Sequence, residues 1–114
     1  MFSKKGAFLP ELRPKMRDGS GTVELYPQLP SLPKSTRLFS VIRLVPGASI
    51  GYHVHQNETE FFYILSGSGM ASDNGRLVRL SEGDTMATPS GCGHAIENDG
   101  DVDLTLLAVI VLDS

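Results

Sequence analysis

From Thr36 to the C-terminal end, apolar runs of strand length alternate with short segments of turn-forming residues. The strongest run, residues 60–65, is rich in aromatic and β-branched side chains, which favour strands. No long window keeps the apolar period of about 3.6 residues that a helix requires, so the pattern predicts an all-β sandwich or barrel. The predicted strands are residues 37–45, 49–55, 60–65, 70–72, 76–80, 85–88, 94–97 and 103–112.

The clearest local signal is Asp73-Asn74-Gly75, which separates the runs at 70–72 and 76–80. Asn-Gly between two apolar runs is typical of a tight β-hairpin, because both residues accept a positive φ. The sequence therefore predicts a hairpin that turns at Asn74 and Gly75.

Residues 1–34 differ from the rest of the chain. They hold five of the seven prolines, which disfavour both helices and central strands. We expect an arm with short edge strands, within one domain that spans residues 1–114. Half of the ten basic residues lie in its first seventeen positions. Such a cluster is usually solvated, and contact with an acidic partner is the alternative. The five basic residues are Lys4, Lys5, Arg13, Lys15 and Arg17.

Length and composition exclude several classes of protein. A chain of 114 residues accommodates one domain rather than two. Its formal charge of −3 argues against general nucleic-acid binding, and its single cysteine, Cys92, excludes a disulfide framework and a cysteine-based zinc finger. The N-terminus lacks an apolar signal region, and the longest apolar stretch, 106–112, is too short for a membrane span. We therefore expect a cytoplasmic protein without a membrane partner.

The three histidines carry the candidate chemistry. His53 and His55 alternate on one predicted strand and therefore point to the same side. Glu60 opens the next strand and returns to that face if the two strands form a hairpin, and His94 arrives from a later strand. A lone histidine on a strand is usually a packing or surface residue. Three imidazoles and one carboxylate together suit one divalent transition metal, such as Mn, Fe, Co, Ni or Zn, better than calcium or magnesium.

Two segments that contain these residues resemble the two motifs of the cupin superfamily. Residues 47–67 have the form G-x5-H-x-H-x4-E-x6-G, and residues 83–98 have the form G-x5-P-x-G-x2-H-x3-N. The resemblance covers residues 36–112 and leaves the arm outside. It implies a small single-domain cupin with a double-stranded β-helix, or jelly-roll, barrel. It also implies that His53, His55, Glu60 and His94 hold a metal inside the barrel.

The surroundings of the four residues allow further assignments. Glu58 is a rival of Glu60 because it has the same strand parity, but the family spacing favours Glu60 and leaves Glu58 as a solvated loop residue. Cys92 is expected to be a partly buried residue rather than a metal ligand. Asn98 is expected to bind nearby backbone.

Three residues are candidates for the wall of a ligand pocket. Phe62 follows Glu60 towards the interior by parity, and Met86 is also apolar and close to the motif; both fit barrel core equally well. Arg43 is the only charged residue between Leu38 and Val45. It would bind a substrate carboxylate if it were buried, and otherwise it lies in water at the strand edge.

Four protein ligands leave two positions of a six-coordinate metal open for water, dioxygen or a chelating small molecule. Small cupins include dioxygenases, decarboxylases and isomerases, so a metal-dependent enzyme that acts on a small oxygen-rich molecule is the first hypothesis. The alternative is a non-catalytic cupin that binds or senses a sugar or a carboxylate, because fold alone does not determine function. The apolar outward positions Phe61, Tyr63 and Leu65 predict a homodimer.

Overall fold

The structure, a computed structural model, describes residues 1–114 and consists of ten strands and one short 3-10 turn at Met16–Asp18. It contains no helix long and apolar enough to cross a membrane. The strands are β1 (Glu11–Pro14), β2 (Thr22–Pro27), β3 (Thr36–Leu44), β4 (Ser49–Val54), β5 (Glu58–Ser66), β6 (Ser68–Asp73), β7 (Arg76–Ser81), β8 (Thr85–Thr88), β9 (Gly93–Glu97) and β10 (Leu104–Leu112).

The strands form two antiparallel sheets. The larger sheet has the order β1-β2-β3-β10-β5-β8, and the smaller sheet has the order β4-β9-β6-β7. From β3 onward the chain passes repeatedly between the two sheets, so that, apart from the hairpin of β6 and β7, the paired strands are far apart in sequence. The predicted all-β class and the double-stranded β-helix are confirmed, and each strand expected from Thr36 onward is present within two residues of its expected ends.

The core lies between the two sheets, where every second residue of each strand points inward. On β10 this alternation buries Leu104, Leu106, Ala108 and Ile110, while the residues between them face outward. β10 pairs with β3 on one side and β5 on the other, so it is one of the two central strands of the larger sheet.

The hairpin between β6 and β7 turns where the sequence predicts. Asn74 and Gly75 have φ values of 53° and 94°, which suit a two-residue turn that follows the twist of the strands. The backbone N–H of Gly75 donates to the hydroxyl of Ser72, which satisfies a donor within the turn.

Asn98, which follows β9, connects the end of β3 to the loop before β10 through side-chain hydrogen bonds. Its side-chain amide is fully buried and donates to the backbone carbonyls of Leu44 and Val102, while its carbonyl accepts from the N–H of Gly100. The expected contact of Asn98 with backbone is therefore confirmed.

Candidate metal centre

Four side chains from three strands and one connection meet between the sheets. His53 lies near the end of β4, directly opposite His94 of β9 in the strand register, and His55 follows β4 immediately. Glu60 comes from β5 of the larger sheet and faces them. Because alternate residues share a face, His53 and His55 both reach this point. The structure thus brings together the four residues that the sequence selects as metal ligands.

The four candidate ligand atoms lie within 4.8 Å of one another. Glu60 Oε1 is 2.9 Å from His55 Nε2 and 3.0 Å from His94 Nε2. His94 Nε2 is 3.1 Å from His55 Nε2 and 3.2 Å from His53 Nε2. Three of the four residues are buried, and His53 is partly exposed at the open side of the cluster.

Each imidazole is also held at its other ring nitrogen. His53 Nδ1 lies 2.8 Å from the carbonyl oxygen of Gly51, and His55 Nδ1 lies 2.6 Å from Glu58 Oε2. His94 Nδ1 lies 2.8 Å from the hydroxyl oxygen of Thr88. A carbonyl and a carboxylate can only accept, so Nδ1 carries the proton in the first two rings, and the Thr88 hydroxyl is able to accept from the third. Such contacts orient imidazoles at metal sites.

This arrangement fits a bound cation. With the protons on Nδ1, the neutral imidazoles point Nε2 lone pairs at one another and at a carboxylate oxygen, which is unfavourable unless a positive charge lies between them. Two ligand atoms each about 2.1 Å from a shared ion, at right angles to each other, are separated by about 3.0 Å. The measured separations of Glu60, His55 and His94 agree with that value.

Glu58 is not the solvated loop residue that the sequence suggested. It opens β5, it is only 8% exposed, and its carboxylate accepts from both nitrogens of the Arg37 guanidinium at 2.9 and 2.7 Å. The hydrogen bond from Arg37, together with that from His55, lowers the pKa of Glu58 to about 2, although burial acts to raise it. Glu58 is therefore an ionised carboxylate that orients His55.

The other ionisable groups respond to burial and to one another. Burial lowers the pKa of His53, which keeps this ring neutral. Burial acts to raise the pKa of Glu60, but when a proton occupies Nε2 in place of an ion, the hydrogen bonds that His55 and His94 donate to this carboxylate outweigh burial and lower its pKa. Without an ion, the imidazolium form of His55 donates to Glu58 from Nδ1 and to Glu60 from Nε2, and the hydrogen bond to Glu60 is the main cause that raises the pKa of His55. Glu60 is thus ionised at neutral pH and available as an anionic ligand.

The three expected pocket residues do not line the cavity beside the cluster. Phe62 is 1% exposed and stacks on His94 with ring centroids 4.7 Å apart, and Met86 is buried in the core. Arg43 lies on the outer face of β3, because its neighbours in the strand, Ile42 and Leu44, take the inward positions. Its guanidinium is 42% exposed and pairs with Asp103 and Glu24, so Arg43 lies away from the cavity beside the cluster, in agreement with the alternative of a solvated strand-edge residue. Cys92 is partly buried, as expected.

The cavity beside the cluster has a volume of about 340 Å³ and is lined by residues of the arm. Arg13, Lys15 and Arg17 line it together with His53, His55 and Glu60. All three basic residues are exposed, as expected for solvated side chains, and they also border this cavity. The spacing of the basic residues in the sequence does not reveal this position, because it depends on how the arm folds over β4. Thr88 could have been found, since it shares the parity of the inward-facing Met86 on β8.

Comparison with known proteins identifies relatives of the whole chain. The cupin domain family matches residues 40–110. The oxalate-binding protein of Thermotoga maritima is 42% identical over 114 residues, which cover 98% of this chain and 94% of that protein. A crystal structure described as a predicted oxalate decarboxylase from Thermotoga maritima has a TM-score of 0.91 at 42% identity and covers 98% of this chain and 99% of that one.

A protein from Thermus thermophilus shares the fold at lower sequence identity. Its crystal structure has a TM-score of 0.77 at 22% identity, with full coverage of both chains. At this identity the likeness concerns the fold alone.

Proposed function

The chain belongs to the cupin domain family, and from this premise we propose that it is a metal-dependent protein that takes a small oxygen-rich acid, such as oxalate, as its ligand. The observation that carries the proposal is the set of four ligand atoms, all within 4.8 Å, from His53, His55, Glu60 and His94. The oxalate-binding relative and the related solved structure support a carboxylate as the ligand.

The residues of the chain have distinct tasks in this proposal. His53, His55, Glu60 and His94 hold one divalent ion of Mn, Fe, Co, Ni or Zn. That ion would supply Lewis-acid or dioxygen chemistry and open positions for oxygen atoms of the ligand. Phe62 packs on one face of the His94 ring and keeps that side of the site dry.

Metal-dependent turnover of the bound acid, by oxygenation, decarboxylation or isomerisation, is the first candidate activity. The second candidate is binding or sensing without chemistry. One observation favours binding without chemistry. The only carboxylate that lines the cavity is Glu60, and the proposal already assigns Glu60 to the metal as a ligand. No further carboxylic acid faces the cavity to serve as a general acid or base.

Elemental analysis of untagged protein, purified without chelator, tests the metal site. We expect about one equivalent of a single transition metal in the wild-type protein and loss of that metal in His53→Ala and His94→Ala proteins that retain the β-sheet circular dichroism spectrum. Thr85→Ala, on the exposed side of β8, is the matched control and should keep the metal. A wild-type protein that takes up no metal even on reconstitution contradicts the proposal.

Metal-loaded protein incubated with oxalate separates the two candidate activities. Product detected by NMR, and absent with His94→Ala, supports turnover. A raised melting temperature without product supports binding alone; ligand at one hundred times its Kd adds about 2.7 kcal/mol to the free energy of unfolding.

Three further features belong to the proposal. We propose that residues 1–114 fold as one domain, since Val23 and Leu25 of the arm are buried in the common core. We also propose a homodimer through the outer face of β5, and a cytoplasmic location on the grounds given by the sequence.

A further inference from the structure

The cavity beside the metal cluster is lined by more basic than acidic side chains. Four basic side chains line it, and Glu60 is the only acidic one. Three of the four come from the arm, and the fourth is the second residue of β3. These residues are Arg13, Lys15, Arg17 and Arg37.

Two of these cations have carboxylate partners and two do not. Arg37 is engaged at two nitrogens by Glu58, and Arg13 lies 2.9 Å from Glu11. Lys15 and Arg17 have no carboxylate within 4.0 Å. Their charges are therefore available to an anion that enters the cavity.

The turn that carries Lys15 and Arg17 is seated on β4 beside a metal ligand. A Cβ atom on Gly51 would overlap the carbonyl oxygen of Arg17, and one on Gly19 would overlap the carbonyl oxygen of Ser49. Only glycine at both positions permits this close approach of the two backbones. Gly51 is also the residue whose carbonyl accepts from His53. The position of the turn is thus coupled directly to the metal cluster.

The same turn has an unusual backbone. Lys15, Arg17 and Asp18 have φ values of 49°, 53° and 62°, in the left-handed region that residues other than glycine rarely adopt. Such conformations persist where the surrounding structure enforces them, and they cluster at binding sites. Here the strained turn places Lys15 and Arg17 at the cavity, while Asp18 does not line it.

We propose that Lys15 and Arg17 form an anion-binding subsite, and that the ligand is a small acid with two separated anionic groups, one at the metal cluster and the other at this turn. The inference rests on the proposed metal-dependent function and narrows its ligand to acids longer than oxalate, such as hydroxy or oxo dicarboxylates. Arginine recognises a carboxylate through paired N–H donors, and lysine adds a point charge.

The test compares two probes that share a chelating end and a four-carbon skeleton. Malate and 2-hydroxybutyrate both carry an α-hydroxycarboxylate, but only malate has a second carboxylate. Their Kd values are measured by titration calorimetry on protein loaded with Mn²⁺, for wild type, the double variant Lys15→Asn/Arg17→Asn and Arg76→Asn. Asparagine tolerates a left-handed backbone and so preserves the turn. Arg76, exposed on β7 and without a carboxylate partner, is the matched control for lost charge.

We expect wild type and Arg76→Asn to bind malate at least 10-fold more tightly than 2-hydroxybutyrate. The double variant should lose that preference and bind 2-hydroxybutyrate as wild type does. Equal affinity of the wild type for the two probes, or an unchanged preference in the double variant, overturns the inference.

Oxalate, measured on the same samples and on His94→Ala, distinguishes the two levels of the proposal. Oxalate binding that requires His94, together with no role for Lys15 and Arg17, overturns the subsite and leaves the metal-dependent function in place. A wild-type protein that holds no Mn²⁺ and binds none of the acids overturns both the subsite and the metal-dependent function. A double variant that has lost the wild-type melting transition is replaced by Arg17→Lys. Arg17→Lys keeps the positive charge but removes the paired N–H donors of the guanidinium. If the subsite recognises a carboxylate, this variant must bind malate more weakly and 2-hydroxybutyrate as wild type does.

Discussion

At the scale of single residues, the candidate metal centre depends on the hydrogen-bond partner of Nδ1 in each imidazole ring. His53 depends on a backbone carbonyl, His55 on an ionised carboxylate and His94 on a buried hydroxyl. These partners fix the ring orientation and the proton position before any ion arrives, which reduces the reorganisation that binding requires. Glu58 is in turn held by Arg37, so the support extends to the start of β3.

The Thr88 hydroxyl offers a clean test of this support. Thr88→Val removes the oxygen that faces His94 while keeping the shape of a side chain that is 1% exposed. We expect metal affinity to fall by about 10- to 100-fold, because His94 loses the partner that orients it. Competition with a chromophoric chelator measures the change. Thr85→Val, on the exposed face of the same strand, should bind metal as wild type does. Equal affinities in the two variants would show that Thr88 does not position His94.

At the scale of elements, the arm is integrated with the barrel. β2 pairs with β3 along five residues, and β1 pairs with β2 at the sheet edge. Val23 and Leu25 reach the core while β1 remains exposed along its length. The turn between β1 and β2 lies over β4, so the arm contacts both sheets. An element with this position should unfold together with the rest of the protein.

Replacement of Val23 by alanine tests that cooperativity. Val23 is fully buried, so Val23→Ala should lower the free energy of unfolding by about 2 kcal/mol through lost apolar burial and the cavity that remains. Urea denaturation followed by circular dichroism should show one transition at a lower midpoint. Leu12→Ala, on the exposed strand β1, is the control and should leave the midpoint unchanged. A separate early transition in the Val23→Ala protein would indicate that the arm unfolds independently.

At the scale of the whole molecule, the larger sheet has an apolar outer face. Phe61, Tyr63 and Leu65 of β5 are each 40–45% exposed and lie on the same side of the strand. Side chains of this size that remain in contact with water favour association. The proposed homodimer would cover this face by placing β5 of one protomer against that of its partner.

Sedimentation of paired variants tests the homodimer. Wild-type protein should sediment at twice the 12.3 kDa chain mass, and Tyr63→Asp should sediment as a monomer, because a charge in the middle of the apolar face opposes burial. Leu77→Asp introduces the same negative charge on β7 of the smaller sheet, where Leu77 is 72% exposed, and this variant should remain dimeric. A wild-type protein that stays monomeric at high concentration excludes the dimer.

The sequence by itself determined the fold class, the strands from Thr36 onward, the hairpin at Asn74 and Gly75 and the four residues that converge on one point. These features depend on local periodicity, turn chemistry and motif spacing, which are properties of neighbouring residues. Whether the four residues hold a metal stays a prediction.

Only the tertiary structure decided what surrounds those four residues. Glu58 belongs to the site because Arg37, twenty-one residues earlier in the chain, reaches it from β3. Arg43 does not belong, because its strand turns it towards Asp103 on the outer face. Lys15 and Arg17 line the cavity because two glycines let the arm lie directly on β4. Each of these positions follows from contacts between segments distant in sequence, which no local pattern records.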